Sequence, residues 1–344
     1  MVDSPGQIFG GCLMKKLLSA ACCTVIILCI SCVPHADGKS EIAVNSEKTL
    51  SLHVVNWNVQ TFFDATTDGT EYSEYKSTKS NWGRNAYMAR LERLCDVIKK
   101  LNADVYVFEE IENEGIMYDI ANTLAGNAWN RKNWCYACFA KIPGDALGCA
   151  VLSRYELGAM ATHALDIRVH GKQPSMRPVI EVAVFVDGKP LTIFVNHWKS
   201  KLGGEVETEI WRDWQESVMA GKIRNLNNRA AITCGDFNRD IAEFAPGLEN
   251  DAILFRGAHF GKTHEQTLRS PWLWNSMHDS YSYYYEGSGE RIDHFFVSGA
   301  AEILSFSAEV HGAWADGNGM PLRYVMYTGK GYSDHLPISA IIAY

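Results

Sequence analysis

Apolar positions change their spacing along the chain, and each spacing predicts a different element. Leu50 to Asn58 alternates Leu and Val with polar residues, which is typical of a half-buried strand. Met88 to Leu101 has apolar residues three and four apart, which predicts an amphipathic helix. Asp104 to Glu110 is an apolar run that ends in two carboxylates, which favours a buried strand, and Gly115 to Leu124 predicts a second helix.

From Gly148 onward the pattern is richer in strands. Six apolar runs predict strands at Cys149–Ser153, Val179–Val186, Leu191–His197, Ala230–Cys234, Ile292–Ser298 and Ile338–Ile342. Glu209 to Asn227 predicts a helix, and the polar stretch from Asp64 to Arg84 predicts a surface loop near the functional face because it is too long for a turn. Strands interleaved with helices indicate an α/β fold. Because no Pro- or Gly-rich linker interrupts residues 49–344, we expect one domain there.

The N-terminal segment has the pattern of an export signal. Two lysines follow Met14, which we take as the true start, and an apolar run then continues to Cys32. A basic start before a short apolar centre predicts a signal peptide over residues 1–31 and a polar linker over residues 32–48.

The end of this apolar run predicts how the protein is anchored. The letters LCISC resemble a relaxed bacterial lipoprotein signal, in which Cys32 carries the lipid. We therefore expect an exported, membrane-anchored lipoprotein, periplasmic or extracellular. Ordinary cleavage near residues 36–38 and retention as a single N-terminal anchor are the alternatives.

Composition supports a large core and an acidic surface. The 344-residue chain is 47% hydrophobic and 21% charged, which excludes global disorder. Its net charge of −8 does not attract polyanions, so any binding of nucleic acid needs local basic residues or metal ions.

Half of the ten cysteines stand at or before Cys32, and the remaining five are too few for a disulfide framework. We expect buried thiols. One disulfide between Cys135 and Cys138 stays open, and zinc is disfavoured because no second CxxC pair accompanies them.

Polar residues suited to a phosphate or a hard metal follow the predicted strands at several places. These segments are Val55–Asn58 (VNWN), Phe108–Asn113 (FEEIEN), Val195–Lys201 (VNHWKSK), Thr233–Asn238 (TCGDFN), Arg291–His294 (RIDH) and Tyr332–Pro337 (YSDHLP). A carboxylate that ends an apolar strand is a good Mg²⁺ ligand because hard cations take oxygen ligands. A His with an Asp partner is an acid/base group with a fixed tautomer. Each segment alone also suits a solvated turn or a structural His.

Taken together, the segments resemble the endonuclease/exonuclease/phosphatase superfamily, which is deoxyribonuclease I-like. The resemblance covers Leu50 to Tyr344, with GDFN, NHWKSK, RIDH and SDHLP as its specific parts. It implies a four-layer α/β sandwich of two mixed β-sheets flanked by helices, with the site at one edge. It also implies a metal-dependent hydrolase of phosphate esters that uses Mg²⁺, with Mn²⁺ and Ca²⁺ left open.

The resemblance implies a role for each matching residue. The implied metal ligands are Glu110, Asn58 and Asp334. The implied catalytic residues are His197 at the scissile phosphate, Asp236 orienting the attacking water, Asn238 as its phosphate-side partner, His335 as the terminal catalytic His and Asp293 as the carboxylate that holds it. Candidate substrate-binding residues are Asn196, Lys199, Arg177 and Arg212. Glu109 stands where the family usually has Gln, so it is a second candidate metal ligand.

Substrate choice lies in loops that one sequence does not decode. We expect an endonuclease for DNA or RNA, because the loop from Asp64 to Arg84 resembles that of bacterial secreted endonucleases and no hydrophobic membrane-docking hairpin stands out. The aromatic segment Ser270 to Tyr285 either stacks bases or packs as a loop. The same fold also suits a sphingomyelinase, or a phosphoinositide or nucleotide-phosphate hydrolase, and these functions are the alternatives. A non-catalytic binding module is disfavoured because every expected catalytic position is filled, and no protein partner is implied.

Overall fold

The computed structural model describes residues 49–77, 79–126, 133–165, 173–257 and 264–344. The signal peptide over 1–31, the linker over 32–48 and the lipid-bearing Cys32 lie outside the described residues, and their assignment stays a prediction. In the part of the chain that the structure describes, no helix is long and apolar enough to cross a membrane.

Strands dominate the described chain. In chain order they are β1 (Ser51–Phe62), β2 (Val105–Ile111), β3 (Tyr136–Ala140), β4 (Gly148–Ser153), β5 (Glu156–Leu157), β6 (Ala161–His163), β7 (Val179–Val186), β8 (Lys189–His197), β9 (Ala231–Asp236), β10 (Ala245–Pro246), β11 (Ala252–Phe255), β12 (Gln266–Arg269), β13 (Tyr283–Tyr285), β14 (Ser288–Glu290), β15 (Asp293–Ser298), β16 (Glu302–Ala308) and β17 (Ile338–Ala343). The helices are α1 (Ser73–Lys76), α2 (Arg84–Leu101), α3 (Glu114–Ala125) and α4 (Glu205–Arg224).

The strands form two mixed sheets and a hairpin. The first sheet has the order β16-β17-β1-β2-β4-β3, and the second has the order β10-β11-β12-β15-β9-β8-β7-β5, with β6 beside β7. β1 and β2 are parallel in the first sheet, β8 and β9 are parallel in the second, and β13 and β14 form the hairpin. The predicted architecture of two mixed sheets with flanking helices is confirmed.

The core follows from the alternation of side chains along the strands. One apolar cluster joins the inward-facing residues of both sheets, such as Val54 of β1, Val107 of β2 and Ile193 of β8. The next residues along β1 and β2 point the other way and pack with α2 and α3 in a second cluster, where Trp57 meets Leu94 and its neighbours. Every residue of β9 is buried, which is typical of a central strand covered on both faces.

The predicted helices and strands are all present, with shifts at their ends. β1 continues four residues beyond Asn58, and α4 begins at Glu205 rather than at Glu209. The polar loop after β1 contains the single helical turn α1. Sequence patterns missed the shorter strands, among them β3, β5, β6 and β10 to β14, because these strands have only two to five residues and most of them have few buried residues.

The five cysteines of the described residues do not form disulfide bonds with one another. Cys95, Cys138, Cys149 and Cys234 are buried, as expected, whereas Cys135 is exposed. The structure therefore shows no bond between Cys135 and Cys138.

Candidate active site

The carboxyl ends of two parallel strand pairs carry the polar residues that the sequence singled out. Asn58 of β1 lies beside Glu109 of β2, and His197 of β8 lies beside Asp236 of β9. Asp293 begins β15, which runs antiparallel to β9 and places it beside Asp236 as well. Parallel strands end at the same edge of a sheet, so this topology brings distant segments together.

Backbone irregularities aim Glu110 into the site. Its φ is +65°, and the pairing of β2 with β4 shifts between Glu109 and Ile111. A bulge of this kind turns a side chain out of the regular alternation. Glu110 therefore keeps a partly exposed side chain, whereas Glu109 is completely buried. Glu109 does not share the partly exposed position of Glu110, so this geometry gives no support to Glu109 as a second metal ligand.

Gly235 permits the close approach of β8 and β9. Its φ is +139°, and a Cβ there would lie 1.9 Å from the carbonyl oxygen of Asn196. Only glycine fits this position without moving the backbone. The turn places Asp236 beside His197 at the end of the sheet.

Four side chains from four strands converge at this edge. The amide nitrogen Nδ2 of Asn58 donates to Oδ2 of Asp236 at 3.0 Å and to Oε1 of Glu110 at 3.3 Å. Nε2 of His197 lies 3.6 Å from Oδ2 of Asp236 and 4.0 Å from Oε1 of Glu110. Two carboxylates, an imidazole and an amide therefore surround one small volume.

His335, in the segment that precedes β17, completes the cluster. Its Nδ1 is 2.8 Å from Oδ2 of Asp293, and its Nε2 is 4.0 Å from Oδ2 of Asp236. The Trp57 indole donates to the carbonyl oxygen of His335 at 2.9 Å. The Ser333 hydroxyl donates to the Asn58 carbonyl at 2.6 Å and accepts the His335 N–H at 3.0 Å. These bonds hold the imidazole with Nε2 facing Asp236.

The two histidines have opposite charge states. Burial, with the charges of Arg177 and His335 adding to it, holds the pKa of His197 well below its usual value. Burial alone would also lower the pKa of His335, but Asp293, with Asp236 and other carboxylates, outweighs it and holds the pKa well above its usual value. These shifts favour a neutral imidazole at His197 and a protonated imidazolium at His335.

The buried carboxylates are also perturbed. Burial raises the pKa of Asp236 to about 7, against the opposing influence of His335. Burial, with Asp293 and Asp236 adding to it, raises the pKa of Glu109 well above its usual value. Asp236 is thus poised near neutrality, which suits a general base.

Glu110 and Asp334 fit a hard divalent cation. Oε2 of Glu110 accepts the Thr61 N–H at 2.5 Å, which leaves Oε1 facing the cluster. Burial raises the pKa of Asp334, and the neighbouring Glu110 charge adds to this against the influence of His335. Two carboxylates that repel each other at a partly buried site offer the oxygen ligands that such a cation takes.

Asn58 does not fit the role of metal ligand. Its Oδ1 accepts the Gln60 N–H at 3.0 Å, so its NH₂ group is the part that faces Glu110 and Asp236. An NH₂ group donates hydrogen bonds and has no lone pair for a cation. In this geometry Asn58 is a hydrogen-bond donor to the site.

Two predicted substrate-binding residues are structural instead. Asn196 is completely buried, its Nδ2 donates to the Phe194 and Cys234 carbonyls, and its Oδ1 accepts the Trp198 indole. Arg212 is also completely buried and donates to Glu209 and to the carbonyls of Lys199 and Glu205. Neither side chain reaches solvent, so both substrate-binding assignments are wrong.

The remaining candidates lie near the cluster and are partly exposed. Arg177 is close enough to lower the pKa of His197, and the pKa of Lys199 is lowered by burial with Arg177 and Arg212. The Lys199 ammonium bonds the Ser200 and Leu202 carbonyls. The Asn238 N–H donates to Oδ1 of Asp236 at 2.8 Å.

Sequence patterns missed several residues that support the site. The Tyr283 ring lies against the His335 ring, with centroids 4.6 Å apart. Arg239 directly follows Asn238, is completely buried and forms ion pairs with Glu209, Asp213 and Glu216 of α4. The position of Arg239 next to the GDFN motif could have indicated a role at the site. Its acidic partners could not be identified from the sequence because they lie on α4, a different element.

Comparisons with known proteins agree with this fold. The model of the Endonuclease/Exonuclease/phosphatase family matches residues 55–335. A structure of D. rerio TDP2 complexed with single strand DNA product is 16% identical, covers 85% of this chain and 98% of that chain, and has a TM-score of 0.54. C. elegans TDP2 is 12% identical with a TM-score of 0.53, over 85% of this chain and 74% of that chain.

An endonuclease/exonuclease/phosphatase family protein from Bacteroides thetaiotaomicron is 15% identical with a TM-score of 0.50, over 86% of this chain and 99% of that chain. No curated protein sequence matches this chain significantly. The structural similarities establish the fold at these low identities.

Proposed function

This chain belongs to the Endonuclease/Exonuclease/phosphatase family, and on that premise we propose that it is an exported, Mg²⁺-dependent endonuclease that hydrolyses DNA or RNA phosphodiesters. The observation that carries the proposal is the position of Asp236 between two histidines of opposite charge state. The family is divalent-metal dependent, and the neighbouring carboxylates of Glu110 and Asp334 offer oxygen ligands for such an ion.

The reaction follows from the state of each side chain. Asp236, with a pKa of about 7, takes a proton from a water molecule as the water oxygen attacks phosphorus. The bond from phosphorus to the leaving oxygen breaks in line, and Nε2 of the His335 cation donates a proton to that oxygen. Asp293 holds the imidazole through Nδ1 and stabilises its charge.

Other groups stabilise the charge that develops on the phosphoryl oxygens. The His197 Nε2 lies 3.6 Å from Oδ2 of Asp236, where an imidazole with its proton on Nε2 would donate to a phosphoryl oxygen. Donors fixed before the reaction are worth more in the transition state than in the ground state. A hard divalent cation held by Glu110 and Asp334 would offset the remaining negative charge.

Three observations support nucleic acid as the substrate. Arg177 and Lys199 lie near His197 and carry the positive charge that flanking phosphates need. Tyr283 and the exposed Tyr285 have parallel rings 6.3 Å apart, beside His335, and such rings stack bases. The D. rerio TDP2 structure of similar fold holds single strand DNA product.

One observation favours a second candidate, a hydrolase of phospholipid head groups. Leu322, Val325 and Tyr327 are 39%, 44% and 57% exposed on the segment that precedes His335. Arg323 of the same segment lies 3.8 Å from Asp334. Exposed apolar residues beside a phosphate-binding site are suited to a lipid surface.

Nicking of supercoiled plasmid by the purified protein tests the proposal. We expect nicking with Mg²⁺, no nicking with chelator, and loss of activity in His197→Ala. His278→Ala is the matched control because that side chain is 86% exposed. A folded protein that leaves plasmid and RNA intact but hydrolyses sphingomyelin or phosphoinositide vesicles would replace the nuclease with the second candidate.

Export and lipidation belong to the same proposal. The basic start and apolar run before Cys32 support a lipoprotein signal. We expect the full-length protein to fractionate with membranes in a bacterial host and to incorporate labelled fatty acid. Cys32→Ser should abolish the labelling, and labelling that persists in this variant would refute the anchor.

A further inference from the structure

A second group of carboxylates lies apart from the catalytic cluster. Asp68 and Glu71 belong to the loop after β1, and Glu112 directly follows β2. One oxygen from each of these three side chains lies within 4.8 Å of the other two. The group therefore has the size of a site for a single ion.

Glu112 supplies an independent indication of a ligand. Its side chain is 1% exposed, and its Oε1 is buried without a hydrogen-bond partner. Its other oxygen accepts the Asp64 N–H at 2.6 Å, which fixes the carboxylate in place. A buried carboxylate oxygen without a partner is costly, and a bound cation removes this cost.

Backbone N–H groups of the loop hold the second buried carboxylate, that of Glu71, near Glu112. Both oxygens of Glu71 accept backbone N–H groups, from Asp68 at 2.6 Å and from Gly69 at 3.0 Å. The nearby Lys76 ammonium donates to the Gly69 carbonyl at 2.9 Å. The loop thus brings negative charges together, while the Lys76 ammonium bonds a backbone oxygen.

We propose that Asp68, Glu71 and Glu112 bind a structural Ca²⁺ ion. Three carboxylates match the oxygen-rich, flexible coordination of Ca²⁺, whereas Mg²⁺ requires a near-ideal octahedron. The choice of Ca²⁺ also rests on the export proposed above, because extracellular calcium suits sites with Kd values of about 10⁻⁴–10⁻³ M. The site does not depend on the reaction proposed above.

The ion would connect the loop to the catalytic strand. Glu112 stands two residues after Glu110, and its N–H donates to the Phe62 carbonyl at the end of β1. Binding would therefore order the loop from Asp64 to Glu71 against the strand end that carries the catalytic carboxylate. We expect the main effect to be on stability.

Calcium titration of the purified protein tests this site by two readouts that do not use activity. Ca²⁺ should raise the melting temperature, and isothermal titration calorimetry should give one binding event. Tb³⁺, which replaces Ca²⁺ at oxygen sites, should luminesce on excitation of Trp82, since its indole donates to the Asp64 carbonyl at 2.7 Å. Excess Ca²⁺ should quench that signal.

Variants separate this site from the catalytic one. Glu112→Gln and the exposed Asp68→Asn should each weaken Ca²⁺ binding about tenfold or more. Asp279→Asn, at a fully exposed side chain, is the matched control and should bind like wild type. Glu110→Gln should also retain Ca²⁺ binding.

Three results would overturn the proposal. They are no calcium-dependent rise in melting temperature of the wild type, unchanged affinity in Asp68→Asn, and loss of binding in Glu110→Gln alone. The last of these would assign the calcium to the catalytic cluster. Because Asp68 is exposed, its variant should fold even where Glu112→Gln does not.

Discussion

Replacing Asp293 by Asn should move the basic limb of the pH–rate profile. Asp293 accepts the Nδ1–H of His335 at 2.8 Å and is the strongest influence that raises the pKa of this imidazole. A hydrogen bond to a charged group contributes about 1.5–3 kcal/mol, so weakening it and removing the Asp293 charge should lower the pKa of His335. His335 acts in its protonated form, so activity is lost as pH rises through its pKa. The variant should lose activity at a lower pH than wild type.

The assay is kcat measured from pH 5 to 10 with saturating Mg²⁺ in wild type and Asp293→Asn. We expect the basic limb to shift to lower pH and kcat at pH 8 to fall at least about tenfold, since each 1.4 kcal/mol is a factor of ten. The exposed Asp279→Asn is the control, and circular dichroism shows that each variant is folded. An unchanged basic limb in a folded Asp293→Asn protein would refute the assignment of His335 as the acid.

Further variants test the positions around the cluster. Gly235→Ala should lower the free energy of unfolding by about 3 kcal/mol or more in urea titration, because its Cβ would lie 1.9 Å from the Asn196 carbonyl; wild-type stability would contradict this. Arg212→Met should cost about 3 kcal/mol of unfolding free energy and leave KM unchanged once folded, whereas a raised KM would restore Arg212 to substrate binding. Glu110→Gln should raise the Mg²⁺ concentration for half-maximal rate about tenfold or more, and an unchanged requirement would remove Glu110 as ligand.

The large features of the fold were predictable because their patterns are strong and local. The alternation in β1 and the helical spacing in α2 identify both elements without tertiary information. The short motifs GDFN and SDHLP lie at strand ends, and the structure brings Asp236 and His335 together there. Short strands such as β5 and β14 escaped detection, since pairing with neighbours stabilises them rather than their own sequence.

The errors concern residues whose partners come from distant parts of the chain. The sequence pattern predicts Arg212 as a surface cation on an amphipathic helix, but its guanidinium donates hydrogen bonds to the Lys199 carbonyl and to the Glu209 carboxylate. Asn58 reads as an oxygen ligand, but a backbone N–H two residues later turns its NH₂ group toward the site. The carboxylates Glu109 and Glu110 look equivalent in sequence, and only the positive φ of Glu110 separates their environments.

Hydrolysis of a small phosphodiester, bis(p-nitrophenyl) phosphate, tests the central claim most directly because it does not depend on loops that select the natural substrate. The wild-type protein should hydrolyse this compound in the presence of Mg²⁺, and a chelator should abolish the hydrolysis. Asp236→Asn should reduce kcat by about 10²–10⁴-fold, the usual contribution of a general base. A folded Asp236→Asn protein with wild-type kcat would contradict the account.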